Sequence, residues 1–176
     1  MAHYVALLRG INVGGRTVKM ERLRTVLADL GFDGIETLIA SGNVLFRSAA
    51  RSAPALERRI EVALEQAFGF RVTTMVRSAA DMQTIAANEP FGPIGDAALH
   101  IAFLQAAPSR DGVNRVLAFR SHTEDVHVEG REVYFKIAGR MMDSTIFRAP
   151  LEKMLGVPMT VRNANTVRKL AAKTAR

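Results

Sequence analysis

The side chains best suited to chemistry gather in one short stretch and one bend. Arg9, Gly10, Asn12, Gly14, Gly15 and Lys19 follow an apolar run over residues 4–8, and Ser41, Gly42 and Asn43 form a second polar turn further along. Glycines let a backbone approach a ligand closely, and the start of a helix presents unsatisfied N–H groups. With Arg9, Arg16 and Lys19 supplying positive charge, the set suits an anion such as a phosphate group. The same residues also make a purely structural loop, in which glycines supply turns and Asn12 bonds nearby main chain. The string GINVGGRT from Gly10 matches the phosphate loop of nucleotide triphosphatases, with Arg16 where lysine belongs. A planar guanidinium does not reproduce the compact ammonium of that lysine. No later apolar strand ends in a metal-binding aspartate of the expected kind, so a triphosphatase is rejected.

A second polar patch, Arg162, Asn163, Asn165 and Thr166, lies between the last expected strand and the terminal helix. One of the asparagines can cap that helix. Alternatively the patch is a pocket, since Arg162 offers a rigid five-donor fork and Arg140, Arg148 and Arg168 are candidates to join it. His3, His100, His122 and His127 show no metal-ligand spacing, so no metal site and no cofactor are expected. Glu57, Glu61 and Glu65 stand at i,i+4 beside Arg58 and Arg59, which reads as a solvated helix face. Neither a G-x-S-x-G elbow nor an H-E-x-x-H helix is present. The chain has no cysteine, which excludes disulfides, Cys-type zinc sites and thiol catalysis.

These residues are positioned by elements that the periodicity predicts. Residues 4–9 read as a buried strand, and Met20, Leu23, Leu27 and Leu30 mark one face of a helix that Gly31 ends. Residues 35–40 and 44–46 form a hairpin across Ser41, Gly42 and Asn43. Leu56, Ile60, Leu64 and Ala67 supply a second helix stopped by Gly69, and residues 72–76 are the next strand. Ser78 with Asp81 predicts a cap on a linking helix through Met82 and Ile85. The pattern then restarts: a strand at 99–104, a helix capped by Ser109 and carrying Val113, Val116 and Leu117, and a hairpin from 126–128 to 133–137. A helix through Phe147, Leu151, Met154 and Leu155 ends at Gly156, and a strand at 159–161 precedes a terminal helix. Leu30-Gly31-Phe32, Phe68-Gly69-Phe70 and Leu155-Gly156-Val157 share one stop device, a left-handed glycine followed by an apolar residue that packs back.

The order is βαββαβ twice. FGFRVTTMVRSAADMQTIAA from Phe68 parallels LGVPMTVRNANTVRKLAA from Leu155, with Arg77 and Arg162 in equivalent places. The expected fold is therefore α+β, a tandem duplication of a ferredoxin-like unit with antiparallel sheets and helices on one face. Its parts are a first half at 1–77, a linking helix and turn-rich linker at 78–97, a second half at 98–162 and a C-terminal helix at 163–176. In such a unit the first and second strands run the same way, which brings the loop after Arg9 and the bend at Gly42 to one end of the sheet.

The net charge is +7 and the pI about 10.5. Up to Pro90 there are 11 basic against 9 acidic residues, and beyond it 13 against 8, so the excess sits in the second half. This reads either as a solvated surface or as affinity for polyanions. No apolar segment has membrane length and the first residues lack a signal-peptide core, so the chain is expected to be cytoplasmic and to bind no membrane. Oligomeric state leaves no signal in the residues.

In combination, ALLRGINVGG from Ala6, the Lys19-Met20 helix opening, ASGNVLF from Ala40 and LGVPMTVRNANT near the end resemble the bacterial family DUF1697, over nearly the whole chain. The resemblance implies a tandem ferredoxin-like architecture and no established activity. Members of that family commonly carry an aromatic residue, often Trp, where this chain has Ala164.

Three functions fit. The preferred one is a binding module for a small phosphate-bearing or other anionic ligand at the loop after the first strand. An aromatic fraction of 6% makes nucleic acid the less favoured partner. The others are an enzyme acting on a phosphorylated metabolite, and a structural or partner-binding protein whose loops only pack.

Overall fold

The computed structural model describes residues 1–38 and 42–176. Its first half runs β1 (Ala2–Leu8), α1 (Met20–Asp29), β2 (Asp33–Leu38), β3 (Asn43–Ser48), α2 (Ala53–Phe68) and β4 (Thr74–Ser78). The strands form one sheet in the order β2-β3-β1-β4, with every neighbouring pair antiparallel. Period-2 alternation sends Tyr4, Ala6, Leu8, Val44, Phe46 and Val76 into one core, where they meet the apolar stripes of the two helices, Leu23, Val26 and Leu27 with Leu56, Ile60 and Leu64. The alternate residues Val5, Leu7, Leu45 and Met75 are buried as well. That is why these strands read as continuous apolar runs instead of alternating ones.

After α3 (Ala79–Ala87) the second half repeats the plan with β5 (Ala98–Leu104), α4 (Arg110–Leu117), β6 (Glu124–Glu129) and β7 (Glu132–Ile137). A 3-10 turn at Met141–Asp143, α5 (Thr145–Arg148), α6 (Leu151–Leu155), β8 (Met159–Asn163) and α7 (Ala164–Thr174) complete it. The order β6-β7-β5-β8 matches that of the first sheet position for position, and all pairs are again antiparallel. The fold is thus mixed α+β, with two four-stranded antiparallel sheets in a duplicated βαββαβ arrangement. Two units result: Met1–Thr84 together with Arg168–Arg176, and Ile85–Val167.

The punctuation follows the residues. Gly31, Gly69 and Gly156 have φ of 80°, 77° and 75°, and the residue after each, Phe32, Phe70 or Val157, packs against the core of its half. Ser78 and Asp81 form a reciprocal box: the Asp81 N–H donates to Ser78 Oγ at 3.1 Å and the Ser78 N–H to Asp81 Oδ2 at 3.0 Å. Ser109 Oγ accepts from the Gly112 N–H at 3.1 Å.

Two expectations are corrected. The single helix through Phe147 and Leu155 is two short helices, because Ala149 is extended (ψ 151°) before Pro150, and the proline ring excludes an α-conformation there. The helix face carrying Glu57 and Glu61 is not simply solvated. Glu57 is 3% exposed; its Oε1 accepts from the Val76 N–H at 2.9 Å and lies 3.9 Å from Nη1 of the equally buried Arg77. Glu61 Oε1 accepts from the Thr74 N–H at 2.9 Å. Since β4 is an edge strand, these carboxylates take the main-chain donors that would otherwise face outward. Glu152 does the same for the Met159 N–H on β8, at 2.9 Å. On the far edge of that sheet the Val126 carbonyl accepts from Nε and Nη2 of Arg120 at 3.1 and 2.8 Å. Unpaired strand edges template wrong pairing, and side chains occupy some of the outward groups of β4, β8 and β6.

Candidate functional site

The loop after β1 and the bend before β3 meet. The Leu8 N–H donates to the Gly42 carbonyl at 2.8 Å, and the Arg9 N–H to the Thr73 carbonyl at 2.9 Å. Gly42 has φ +83°, and a Cβ there would lie 3.0 Å from Leu8 Cβ and 3.1 Å from both the Leu8 carbonyl and Ile11 Cδ1. Glycine at this bend is what allows the two segments to touch. Ser41 lies outside the described residues.

Residues 10–18 form a small closed structure. Val13 and Arg16 make an isolated antiparallel bridge, the Arg16 N–H donates to the Val13 carbonyl at 3.1 Å, and the Asn12 N–H donates to the Arg16 carbonyl at 2.7 Å. Gly14 and Gly15, with φ of 59° and 80°, are the two central residues of this turn, both in the left-handed region that a two-residue hairpin favours. A phosphate loop instead wraps its amides around an anion, so the GINVGGRT match has no structural counterpart here. Asn12 is itself left-handed (φ 56°), and its Oδ1 accepts from the Val18 N–H at 2.9 Å, closing the loop against buried Ile11 and Val18.

Lys19 caps α1 only with its backbone, and its side chain makes no cap hydrogen bond. Arg9, Gly10, Arg16 and Lys19 are exposed around it. The Arg16 guanidinium rests 5.6 Å from the centre of the Phe70 ring, which fixes one of these charges over a partly buried aromatic. Asn43 is 1% exposed and its Nδ2 donates to the Leu38 carbonyl at 3.1 Å, tying the hairpin shut. The corner therefore sorts into a frame, Asn12, Gly42 and Asn43, and an exposed cationic rim, Arg9, Arg16 and Lys19.

The second patch is dispersed. Arg162 is buried in β8, where Nη1 donates to Thr160 Oγ1 at 2.6 Å and to the Val161 carbonyl at 2.9 Å. Burial alone lowers its pKa to about 10, so it remains a cation at neutral pH. Asn163 Oδ1 accepts from the Asn165 N–H at 2.8 Å, a local cap at the start of α7. Asn163 and Asn165 are exposed, Thr166 half-buried, and Ala164 packs inward. Among the described residues no three His, Asp or Glu side chains converge as metal ligands, and no helix is long and apolar enough to cross a membrane.

Sequence reasoning missed Glu57, Glu61 and Gly112. The glutamates sit one position beyond Leu56 and Ile60, on the border of the apolar stripe, and that offset was the available signal. Gly112 stands inside a helix, where glycine is costly unless another backbone comes close. A Cβ at this position would lie 2.7 Å from the Met154 carbonyl.

The family model described as a protein of unknown function, DUF1697, matches residues 1–134. No curated protein matches the chain. The solved structure of a conserved bacterial protein from Streptococcus pneumoniae resembles it with a TM-score of 0.75 at 23% identity, covering 100% of this chain and 99% of that one. At that identity the likeness speaks to the fold.

Proposed function

The chain belongs to the DUF1697 family, whose description is a protein of unknown function, and we propose that it is a binding module for a small phosphate-bearing anion held at residues 9–19. The observation that supports this is the exposed trio Arg9, Arg16 and Lys19 around an α1 start whose N-cap residue, Lys19, makes no side-chain cap hydrogen bond, carried on a loop tied down at both ends. Charge-assisted hydrogen bonds from arginine and from helix-start amides favour a phosphate oxygen. The side-chain amides of Asn12 and Asn43 serve main chain, and the exposed cations of the corner are groups suited to binding an anion.

The test is a thermal-shift and calorimetric screen against nucleoside monophosphates and sugar phosphates. A hit should lose about tenfold or more in affinity when Arg9 and Lys19 are both changed to glutamine, with the melting temperature of the free protein little altered. No hit, or a hit indifferent to the double variant, ends the proposal. A salt titration with labelled single-stranded DNA separates small-anion from polyanion binding, since only the latter loses affinity steeply with salt.

A further inference from the structure

A cationic hollow lies in the first unit, away from the corner. It is a cavity of about 240 Å3 over the end of the sheet, lined by His3, Glu36, Arg47 and, from the last turn of α7 and the residues after it, Lys173 and Arg176. The register explains why these side chains share a face. His3 is the cross-strand neighbour of Arg47, and Glu36 that of Leu45, two positions earlier on the same strand. Gly34 shapes one wall: a Cβ there would lie 3.0 Å from Arg47 Nε, so the guanidinium lies where any other residue's side chain would begin.

The charges do not cancel. Glu36 is the one carboxylate side chain among the lining residues, and Lys173 already pairs with it. The guanidinium groups of Arg47 and Arg176 have no ion-pair partner among the described residues. Two forked donors thus line one small hollow whose single side-chain carboxylate is already paired with Lys173. The volume falls below the roughly 300–1,000 Å3 of pockets that hold drug-sized molecules, so the occupant is small. A guanidinium matches two oxygens of a phosphate bidentately, and two guanidinium-bearing residues line this hollow.

We infer that this hollow binds a small phosphate-class dianion between Arg47 and Arg176, as a site separate from the corner. The experiment titrates inorganic phosphate, and acetate as a monoanion control at matched ionic strength, into the isotopically labelled full chain while backbone amide shifts are followed. Phosphate should produce saturable shifts at Gly34, Glu36 and Arg47. Arg47→Gln and, independently, Arg176→Gln should each weaken that binding about tenfold, while the Arg9→Gln/Lys19→Gln double variant leaves it unchanged. That last arm keeps failure here distinct from failure at the corner. Shifts that never saturate, equal affinity for acetate, or unchanged affinity in both single variants would overturn the assignment.

Discussion

Glu57 accepts a main-chain hydrogen bond from β4 while facing Arg77, and both side chains are almost wholly removed from water. Taking away one member of such a pair leaves a buried charge and an orphaned N–H together. Glu57→Ala should therefore lower unfolding free energy by about 3 kcal/mol or more, read as a lower urea midpoint. Glu57→Gln keeps an acceptor oxygen for Val76 and should cost less. If the alanine variant unfolds with the parent, the edge contact contributes nothing. This residue also shows where reading from sequence stops. A glutamate at i,i+4 from another looks the same whether it meets water or a strand edge, and only the placement of β4 beside α2 decides. The stop glycines were legible because their cause is local: positive φ is a property of one residue and its immediate neighbours.

Whole elements were legible where periodicity and punctuation agreed. The two hairpins, the helices ended by Gly31 and Gly69, and the meeting of Leu8 with Gly42 all follow from strand direction and turn residues. The helix at residues 147–155 was misread because its apolar spacing runs straight through Pro150, and proline there overrides the spacing. Within the corner, Gly14-Gly15 was visible as a turn signal, but the bridge from Val13 to Arg16 that makes it a closed hairpin is a pairing no composition announces. Close approach of α4 to α6 was equally hidden. Because a Cβ on Gly112 would stand 2.7 Å from the Met154 carbonyl and 3.1 Å from Leu155 Cα, Gly112→Ala must push two backbones apart. A cost of about 1–3 kcal/mol is expected, although alanine is the better helix former in isolation. A stability gain in chemical denaturation would show that α4 is free to shift.

At the scale of the molecule, duplication was readable from repeated strings and element order, and the matching strand orders of the two sheets bear it out. What the repeats did not announce is that Arg168–Arg176 belongs to the first unit. Gln83 Nε2 donates to the Ala171 carbonyl, Lys173 pairs with Glu36, and Leu170 and Ala171 are buried. Deleting residues 168–176 should destabilise the first unit by about 2 kcal/mol or more from the loss of buried Leu170 alone. Hydrogen exchange should locate the effect in β2 and α3, and unchanged protection there would contradict the role given to this segment. The same feature bears on synthesis. At about 5–20 residues per second, a ribosome that has released Thr84 needs roughly 4–17 seconds more before Arg168 follows. The half of the protein that is made earliest is thus finished latest, and it waits for its closing helix through the whole translation of its own copy.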